Sequence, residues 1–447
     1  MPIRNTNLTN EEIDPLFKNA EKIFFIGIGG ISMSALAKFC GILGKEVYGY
    51  DRERGEETEA LEKIGKIKYC STPDNIKGMD LVIYTNAIDE KNYEYRQARK
   101  LHIPLISRAN FLGYIASLHK RSFGACGMHG KSTVTALLAH IFYSANENPS
   151  VFCGAEMNNF KSNCHFGGRE CCIFEACEYQ NSFLSMPTTD AIVLNIDFDH
   201  PDFFESLDQI KSSFQAYING AKRVFLNCDD KNVRELCHKN IITFGFDNCA
   251  MYRGEICDSE HFNVYRLGKF LCACHLPLCG KHMAYNCLCA IAVSHTYGIQ
   301  IDKIIKSIST FTGVKRRMEF VGKTDTGASI FEDYGHHPTE IKASLSSLSE
   351  TGYKRILCIF QAHTFSRTHF LYKDFTSAFS CAKELIICPT FSAREENVFE
   401  LSEEAFAHDC GGTFISEFSE IRKKIDKTEC DCVVLMGAGD LRKRLKL

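Results

Sequence analysis

The chain has 447 residues, 45% of them hydrophobic and 24% charged, with a formal net charge of −3. That length exceeds what one hydrophobic core serves and predicts about three domains. The composition excludes a disordered chain, and no apolar stretch is long enough to span a bilayer, so membrane insertion is not expected. Lysine and glutamate are interleaved without a broad basic face, which argues against nucleic acid as the main partner.

The opening stretch, Met1 to Glu12, is polar and lacks the apolar core of a secretory signal, so the expected address is cytoplasmic. The 23 cysteines are then expected to be thiols that behave as small buried hydrophobes. Cys272-Ala-Cys274-His275-Leu-Pro-Leu-Cys279 is the densest cysteine cluster. It lacks paired C-x-x-C knuckles and alternates like a strand, so a zinc site is not expected there. Cys171 and Cys172 lie in a short apolar run that reads as core.

From Lys22 to Ala37 the chain runs as an apolar strand, a glycine turn and a helix start, the first βα unit of a Rossmann-like domain. Val47 to Asp51 reads as the second strand and Leu81 to Tyr84 as a later one. Gly27, Gly29, Gly30 and Asp51 admit a dinucleotide site, but Gly-x-Gly-Gly lacks the full spacing, and a different nucleotide fits as well.

The most specific signal is Gly124-Ala-Cys-Gly-Met-His-Gly-Lys-Ser-Thr-Val-Thr135. A glycine-rich turn ending in Gly130-Lys131-Ser132 lets backbone N–H groups surround a polyphosphate. Lys131 reaches the terminal phosphates, and the Ser132 or Thr133 hydroxyl ligates Mg²⁺. Ala136, Leu137, Leu138, Ile141 and Phe142 form the apolar face of the helix that follows. Ala125 stands where the strict motif has its first glycine, so the loop is a variant. It points to an enzyme that spends ATP.

Strands and helices then alternate through Ala191–Asn195, Arg223–Asn227 and the segment from Gly280 to Gly298. A third α/β region begins near Val314, with strands at Arg355–Phe360, Glu384–Cys388 and Asp431–Met436. Glu175 and the stretch Asp197-Phe-Asp-His-Pro-Asp202 follow apolar strands, where open α/β sheets place their sites. Glu175 is a hard oxygen ligand suited to Mg²⁺, and His200 could complete a second metal position. Helix N-capping is an alternative role for Asp199 and Asp202.

Ten ordered blocks resemble the Mur ligases, and within them the alanine-adding branch. They are Gly27 to Ser34, Ser107 to Leu112, Gly127 to Ser132, Glu175 to Tyr179, Asp199 to Asp202, Gly280 to Asn286, Gly313 to Arg317, Asp333 to Glu340, Phe360 to Arg367 and Gly437 to Gly439. The resemblance implies an α/β fold of three domains: a Rossmann-like UDP-sugar-binding domain (1–109), a central P-loop ATPase-type domain (110–314) and a Rossmann-like C-terminal ligase domain (315–447). It implies ATP and Mg²⁺ as cofactors, and ligation of L-alanine to the lactyl carboxylate of UDP-N-acetylmuramic acid through an acyl phosphate, in peptidoglycan precursor synthesis. A murein-recycling ligase that attaches a tripeptide is the alternative, with a catalytically impaired nucleotide-binding regulator as a third reading. The resemblance does not fix the oligomeric state.

By position in the matched blocks, the resemblance assigns catalysis to Lys131, Glu175, His200, Arg317, His336, His363 and Arg367. It assigns ATP binding to Gly127, Met128, His129, Gly130, Lys131, Ser132, Thr133, Asn286 at the adenine, Arg317 at the γ-phosphate and Asp333 at the ribose. Substrate contacts fall to Gly29, Gly30, Ser32, Asp51, Arg108, Tyr334, His337 and Arg367, the last as anchor for the alanine carboxylate. The metal set is Ser132, Glu175 and His200. Three positions depart from the family pattern. Met128 replaces a threonine, Ala362 a proline and Arg394 a glycine, the last suggesting an altered amino-acid preference.

Overall fold

The computed structural model describes residues 4–278, 280–393 and 395–447. Cys279 and Arg394, both named above, lie outside the described residues. The chain divides into two compact units: Met1–Gly127 with Val134–Asn195 and Lys211–Thr243, and Met128–Thr133 with Ile196–Ile210 and Phe244–Leu447.

In the first unit α1 (Asn10–Asn19) precedes a parallel sheet made of β1 (Lys22–Ile26), β2 (Glu46–Tyr50), β3 (Gly65–Lys68), β4 (Leu81–Tyr84) and β5 (Leu105–Ser107). The strand order is β3-β2-β1-β4-β5. Connections run through α2 (Ile31–Ile42), α3 (Glu56–Leu61) and α4 (Tyr93–Lys100), and α5 (Arg108–Ser117) follows β5. Phe24, Ile26, Val82 and Tyr84 pack together on one face of this sheet. Neighbouring β1 and β4 residues are also fully buried, as expected when helices cover both faces of a parallel sheet.

The same unit holds β6 (Arg121–Cys126), β7 (Ser150–Met157), β8 (Ser162–His165), β9 (Cys171–Glu175), β10 (Asp190–Val193) and β11 (Arg223–Asn227). They lie in the order β11-β10-β6-β9-β7-β8. Only β8 runs antiparallel to its neighbour among these pairs. The helix after the phosphate loop is α6 (Lys131–Ser144), and α7 (Leu207–Asn219) precedes β11. Ala136, Leu137, Leu138, Ile141 and Phe142 are at most 1% exposed, the apolar face anticipated for α6. Cys171 and Cys172 are fully buried in β9.

After β12 (Ile241–Gly245), the second unit contains the antiparallel ribbon β13 (Tyr252–Ile256), β14 (His261–Arg266) and β15 (Lys269–His275). In β15 Cys272 and Cys274 face inward while Ala273 and His275 face out, the alternation of a strand and not the convergence of a metal site. This ribbon was not anticipated as a unit. Gly280, at φ 112°, starts α8 (Lys281–Tyr297) and Gly298, also at φ 112°, ends it, so both glycines occupy backbone regions that Cβ disfavours. Then comes α9 (Ile301–Ser309).

The last sheet comprises β16 (Glu319–Lys323), β17 (Ser329–Asp333), β18 (Ile356–His363), β19 (Glu384–Phe391), β20 (Thr413–Phe414) and β21 (Cys432–Met436), in the order β16-β17-β21-β18-β19-β20. Its helices are α10 (Pro338–Glu350), α11 (Phe365–Phe370), α12 (Tyr372–Ala378), α13 (Glu403–Asp409), α14 (Phe418–Lys427) and α15 (Leu441–Leu445). Alternate residues of β18 serve opposite cores. Cys358, Phe360 and Ala362 join the side covered by α10, α12 and α13, while Leu357 and Ile359 join the side of α14 and α15. Ala362, where the family has proline, is thus a packed core position and keeps an N–H within a central strand.

Close backbone packing in the first unit explains one helix glycine. A Cβ on Gly113 of α5 would lie 2.1 Å from the Ser185 carbonyl oxygen and 3.0 Å from the Met186 Cα, and backbone cannot swing aside. Gly113→Ala is expected to destabilise the protein by roughly 1–3 kcal/mol, read as a lower urea midpoint at unchanged slope.

Candidate active site

In the first unit the glycine turn after β1 is closed by an acid. Asp51, at the end of β2, accepts the Gly29 N–H at 2.7 Å. A Cβ on Gly29 would lie 2.9 Å from the Asp51 carboxylate, so this carboxylate and glycine require each other. The Gly30 N–H donates to the Gly27 carbonyl, and Gly30 is the N-cap of α2. Arg108, first residue of α5, donates to the Ser32 hydroxyl at 3.2 Å. Gly29, Gly30, Ser32, Asp51 and Arg108 therefore form one constellation at the strand ends, with the α2 N-terminus facing it. In the same unit Glu175 ends β9 and accepts the Gly154 N–H and the Cys153 thiol. A side chain at Gly154 would overlap that carboxylate.

The second unit gathers the remaining acids and histidines around two buried carboxylates. Glu340 sits in the first turn of α10, where the helix dipole favours an anion. Arg317 donates to its Oε1 at 3.0 Å, and the His336 backbone N–H donates to its Oε2 at 3.2 Å. His129 of the phosphate loop brings Nδ1 to 3.3 Å from Glu340 Oε1 and Nε2 to 3.5 Å from Asp197 Oδ2. Asp197 also accepts the Thr339 hydroxyl at 2.7 Å. Burial opposes charge on His129, but the two carboxylates outweigh it and push its pKa up to about 9. Burial likewise works against ionised Glu340, yet Arg317 and His129 hold it well below the usual carboxylate range. His129 is an imidazolium clip between two acids.

The second carboxylate, Asp199, is 4% exposed. Arg367 of α11 grips it through Nε at 2.8 Å and Nη2 at 3.4 Å. Asp199 also accepts the His200 backbone N–H at 2.7 Å, which steadies His200 at φ 55°, a left-handed conformation that non-glycine residues seldom adopt. Helix capping is not its role. Arg367 spends Nη1 on the His363 ring Nδ1 and carbonyl, both at 3.0 Å. The fork expected to anchor a substrate carboxylate is thus already filled by Asp199, and one Nη2–H remains to meet a second acceptor.

Backbone strain marks the segment before β16. Arg316 and Met318 have φ of 59° and 50°. Asp333 ties this segment down: its Oδ2 accepts the Met318 N–H at 2.8 Å, and its Oδ1 the Gly335 N–H at 2.7 Å. Burial pushes the Asp333 pKa up to about 6 against the pull of Arg317. Arg316 donates to the carbonyls of Gly437 and Gly439 at 2.8 and 2.7 Å, and the guanidinium groups of Arg316 and Arg317 lie 4.9 and 5.2 Å from the Tyr334 ring centre. Gly437 and Gly439 lie beside β18, where side chains would strike Gln361.

The adjacent histidines separate by environment. His337 is the N-cap of α10, accepts the Thr339 N–H at Nδ1 and donates from Nε2 to the Phe198 carbonyl at 3.1 Å. It is 3% exposed with both ring nitrogens spent. His337, expected at the substrate, thus has its ring engaged by the start of α10 and the Phe198 carbonyl. Those bonds leave it no lone pair for a metal, although His129, Asp197 and His337 converge closely enough to suggest one. His336 keeps part of its ring accessible, as does His363.

The other anticipated nucleotide contacts lie where the chain order puts them. Lys131 donates to the Met128 carbonyl at 3.1 Å. Met128, Ser132 and Thr133 are 7–8% exposed, and Asn286 is buried in α8. Arg317, expected at a γ-phosphate, is held by Glu340. Two participants were missed from the sequence, Glu340 and Asp197. Glu340 carried a signal, an acid four residues after His336 in a helix's first turn; Asp197 carried none beyond following a strand.

A glycine-rich phosphate loop at the head of a helix, with buried acids and bases at parallel strand ends, defines an α/β nucleotide-dependent enzyme. Three domain signatures match in succession: the Mur ligase catalytic domain over residues 22–120, the Mur ligase middle domain over 126–294 and the Mur ligase glutamate ligase domain over 316–439. The chain belongs to the Mur ligase family. It is 38% identical over 444 residues to the UDP-N-acetylmuramate–L-alanine ligase of Clostridium kluyveri, covering 95% of this chain and 97% of that one. It is 36% identical over 449 residues to the ligase of the same name from Caldanaerobacter subterraneus, covering 96% and 97%. Among solved structures, the UDP-N-acetylmuramate-alanine ligase of Thermotoga maritima matches with a TM-score of 0.81 at 27% identity, over 95% of this chain and 97% of that one. A murein peptide ligase from Psychrobacter arcticus shares the fold, with a TM-score of 0.73 at 19% identity over 95% and 98%.

The His129 clip sets a pH dependence. A folded-state pKa near 9, above the ordinary 6.5, means that the clip's contribution is complete below pH 6.5 and is lost as pH rises through 9. His129→Gln is expected to lower Tm at pH 6, and the gap from the parent protein should close between pH 6.5 and 10. Calorimetry of both proteins across that range checks it; a gap independent of pH would contradict a charged His129.

Proposed function

We propose that this protein is an ATP-dependent ligase that joins L-alanine to the lactyl carboxylate of UDP-N-acetylmuramic acid, in peptidoglycan precursor synthesis. The observation that carries this reading is the 38% identity to a UDP-N-acetylmuramate–L-alanine ligase across 95% of the chain. A carboxylate is a poor acyl donor until one oxygen becomes a leaving group. Phosphoryl transfer from ATP makes that leaving group, and the amine of alanine then displaces phosphate through a tetrahedral intermediate.

In this reading residues 1–109 hold the UDP-sugar, 110–314 bind ATP and 315–447 complete the ligase site. The constellation of Gly29, Gly30, Ser32, Asp51 and Arg108 suits a diphosphate: the α2 N-terminus offers positive potential, and Arg108 adds a cation. Gly127, Met128, His129 and Gly130 present the loop backbone to the ATP phosphates, and Lys131 neutralises charge on the transferring phosphoryl. Asn286 serves the adenine, Asp333 the ribose and Arg317 the γ-phosphate, while Tyr334 lies beside the substrate. Ser132 and Glu175 are the residues offered to Mg²⁺ as hard oxygen donors, and His200 is offered to a second metal position; Mg²⁺ would supply charge neutralisation for phosphoryl transfer. The ligase reading goes with a cytoplasmic location. Among the described residues no helix is long and apolar enough to cross a membrane.

The test is ADP release from ATP and Mg²⁺ with UDP-N-acetylmuramic acid and L-alanine, glycine, L-serine or the tripeptide L-Ala-γ-D-Glu-meso-diaminopimelate. Turnover dependent on L-alanine is expected. Turnover only with the tripeptide would transfer the chain to the recycling ligases, and none with any acceptor would favour a regulator.

A further inference from the structure

Two partly exposed histidines in the second unit carry opposite hydrogen-bonding polarity, and the structure fixes which is which. His336 Nδ1 lies 3.0 Å from the Tyr334 carbonyl oxygen, which can only accept. Nδ1 is therefore the protonated nitrogen, and the lone pair of a neutral ring sits on Nε2. His363 is the reverse. Its Nδ1 lies 3.0 Å from Arg367 Nη1, which can only donate, so Nδ1 holds the lone pair and Nε2 carries the hydrogen. The two rings meet edge to face with centroids 5.6 Å apart, and His363 is stacked on Phe391. One ring thus offers a base and its neighbour a donor.

We propose that His336 Nε2 is the general base that takes a proton from the incoming amino-acid ammonium, with His363 Nε2–H placed to donate to the oxyanion of the tetrahedral intermediate. This rests on the ligase reading above and assigns roles within the same site. An ammonium has no lone pair with which to attack. His336 removes one proton, the freed pair forms the C–N bond, and the carbonyl π electrons move to oxygen. Collapse of that oxyanion expels phosphate, which carries off the second nitrogen proton, and His336 returns its proton to solvent. Protons and electron pairs balance without a further reactant.

The surroundings of His336 keep it unprotonated at neutral pH. Burial acts first and the Arg367 guanidinium second, and together they hold its pKa well below the ordinary value against the pull of Glu340 and Asp199, with His363 adding to the depression. The Glu340 carboxylate is 3.6 Å away, but on the Nδ1 side. Arg367 also lowers the proton affinity of any ammonium brought to Nε2, so donor and acceptor are shifted in the same direction. His363 cannot replace His336: burial and Arg367 bring its pKa down to about 4, and its lone pair is committed to Arg367.

The variant that isolates the role is His336→Asn, whose amide N–H reproduces the Nδ1–H donor to the Tyr334 carbonyl but supplies no base. Two acceptors are compared in the presence of UDP-N-acetylmuramic acid, ATP and Mg²⁺. L-alanine arrives as an ammonium, whereas hydroxylamine at pH 7.5 is already largely neutral and traps the acyl phosphate as a hydroxamate. The alanine kcat is expected to fall by about 10²–10³, in the range of lost general-base catalysis, and by at least roughly 30-fold more than the hydroxamate rate. Equal losses with both acceptors would overturn the base assignment and leave His336 a structural residue. Undiminished alanine turnover would overturn it as well. Absence of hydroxamate and of ADP with the parent protein would instead overturn the ligase reading itself, and this proposal with it.

Discussion

The chemistry of the second unit depends on keeping two carboxylates charged where water is scarce. An ionised carboxylate buried alone would cost many kcal/mol, so each must be matched by cations and donors or give up its charge. Glu340 meets this through Arg317, the His129 imidazolium and a backbone N–H at the start of α10. Asp199 meets it through Arg367 and the His200 N–H. Each pairing fixes a residue with work elsewhere: the phosphate loop through His129, the strained turn at His200, and the His363 ring through Arg367.

Around those anions, hydrogen bonds sort histidines that look alike in the sequence. His337 is consumed by α10 and the Phe198 carbonyl, His129 is charged between two acids, His363 is a donor at Nε2 and His336 holds a lone pair there. At His336, His337 and His363 a carbonyl or guanidinium neighbour decides the tautomer, because the first can only accept and the second can only donate; at His129 two carboxylates decide the charge. Burial sets the direction of the pKa shift at His336, His337 and His363, whereas at His129 two carboxylates overcome it.

Space for these groups comes from the way the last sheet is built. β21 lies between β17 and β18, so residues after β17 and at the end of β18 flank the turn after β21. That turn contains Gly437 and Gly439, which allow the chain to pass against Gln361 and present carbonyls to Arg316. Arg316 joins the segment before β16 to the turn after β21, and Asp333 pins the same segment from β17.

The strands, the glycine turns and the phosphate loop were legible in the sequence because each depends on neighbours close along the chain. Apolar runs at Leu81–Tyr84, Arg223–Asn227 and Cys432–Met436 became strands, and Gly280 and Gly298 bounded a helix. The alternation of β15 read as a strand, but its pairing with β13 and β14 into a ribbon was not legible, because strand pairing is not encoded in the alternation of one strand. The blocks carrying His336, His363, Arg367 and Asp333 were found, but their pairings were not. Arg367 and Asp199 are 168 residues apart, and His337 and the Phe198 carbonyl 139. Local pattern determined which residues reach the strand ends; only the folded chain decided which carboxylate fills a guanidinium fork and which ring nitrogen keeps its lone pair, because those depend on groups that folding alone brings within 3 Å or so.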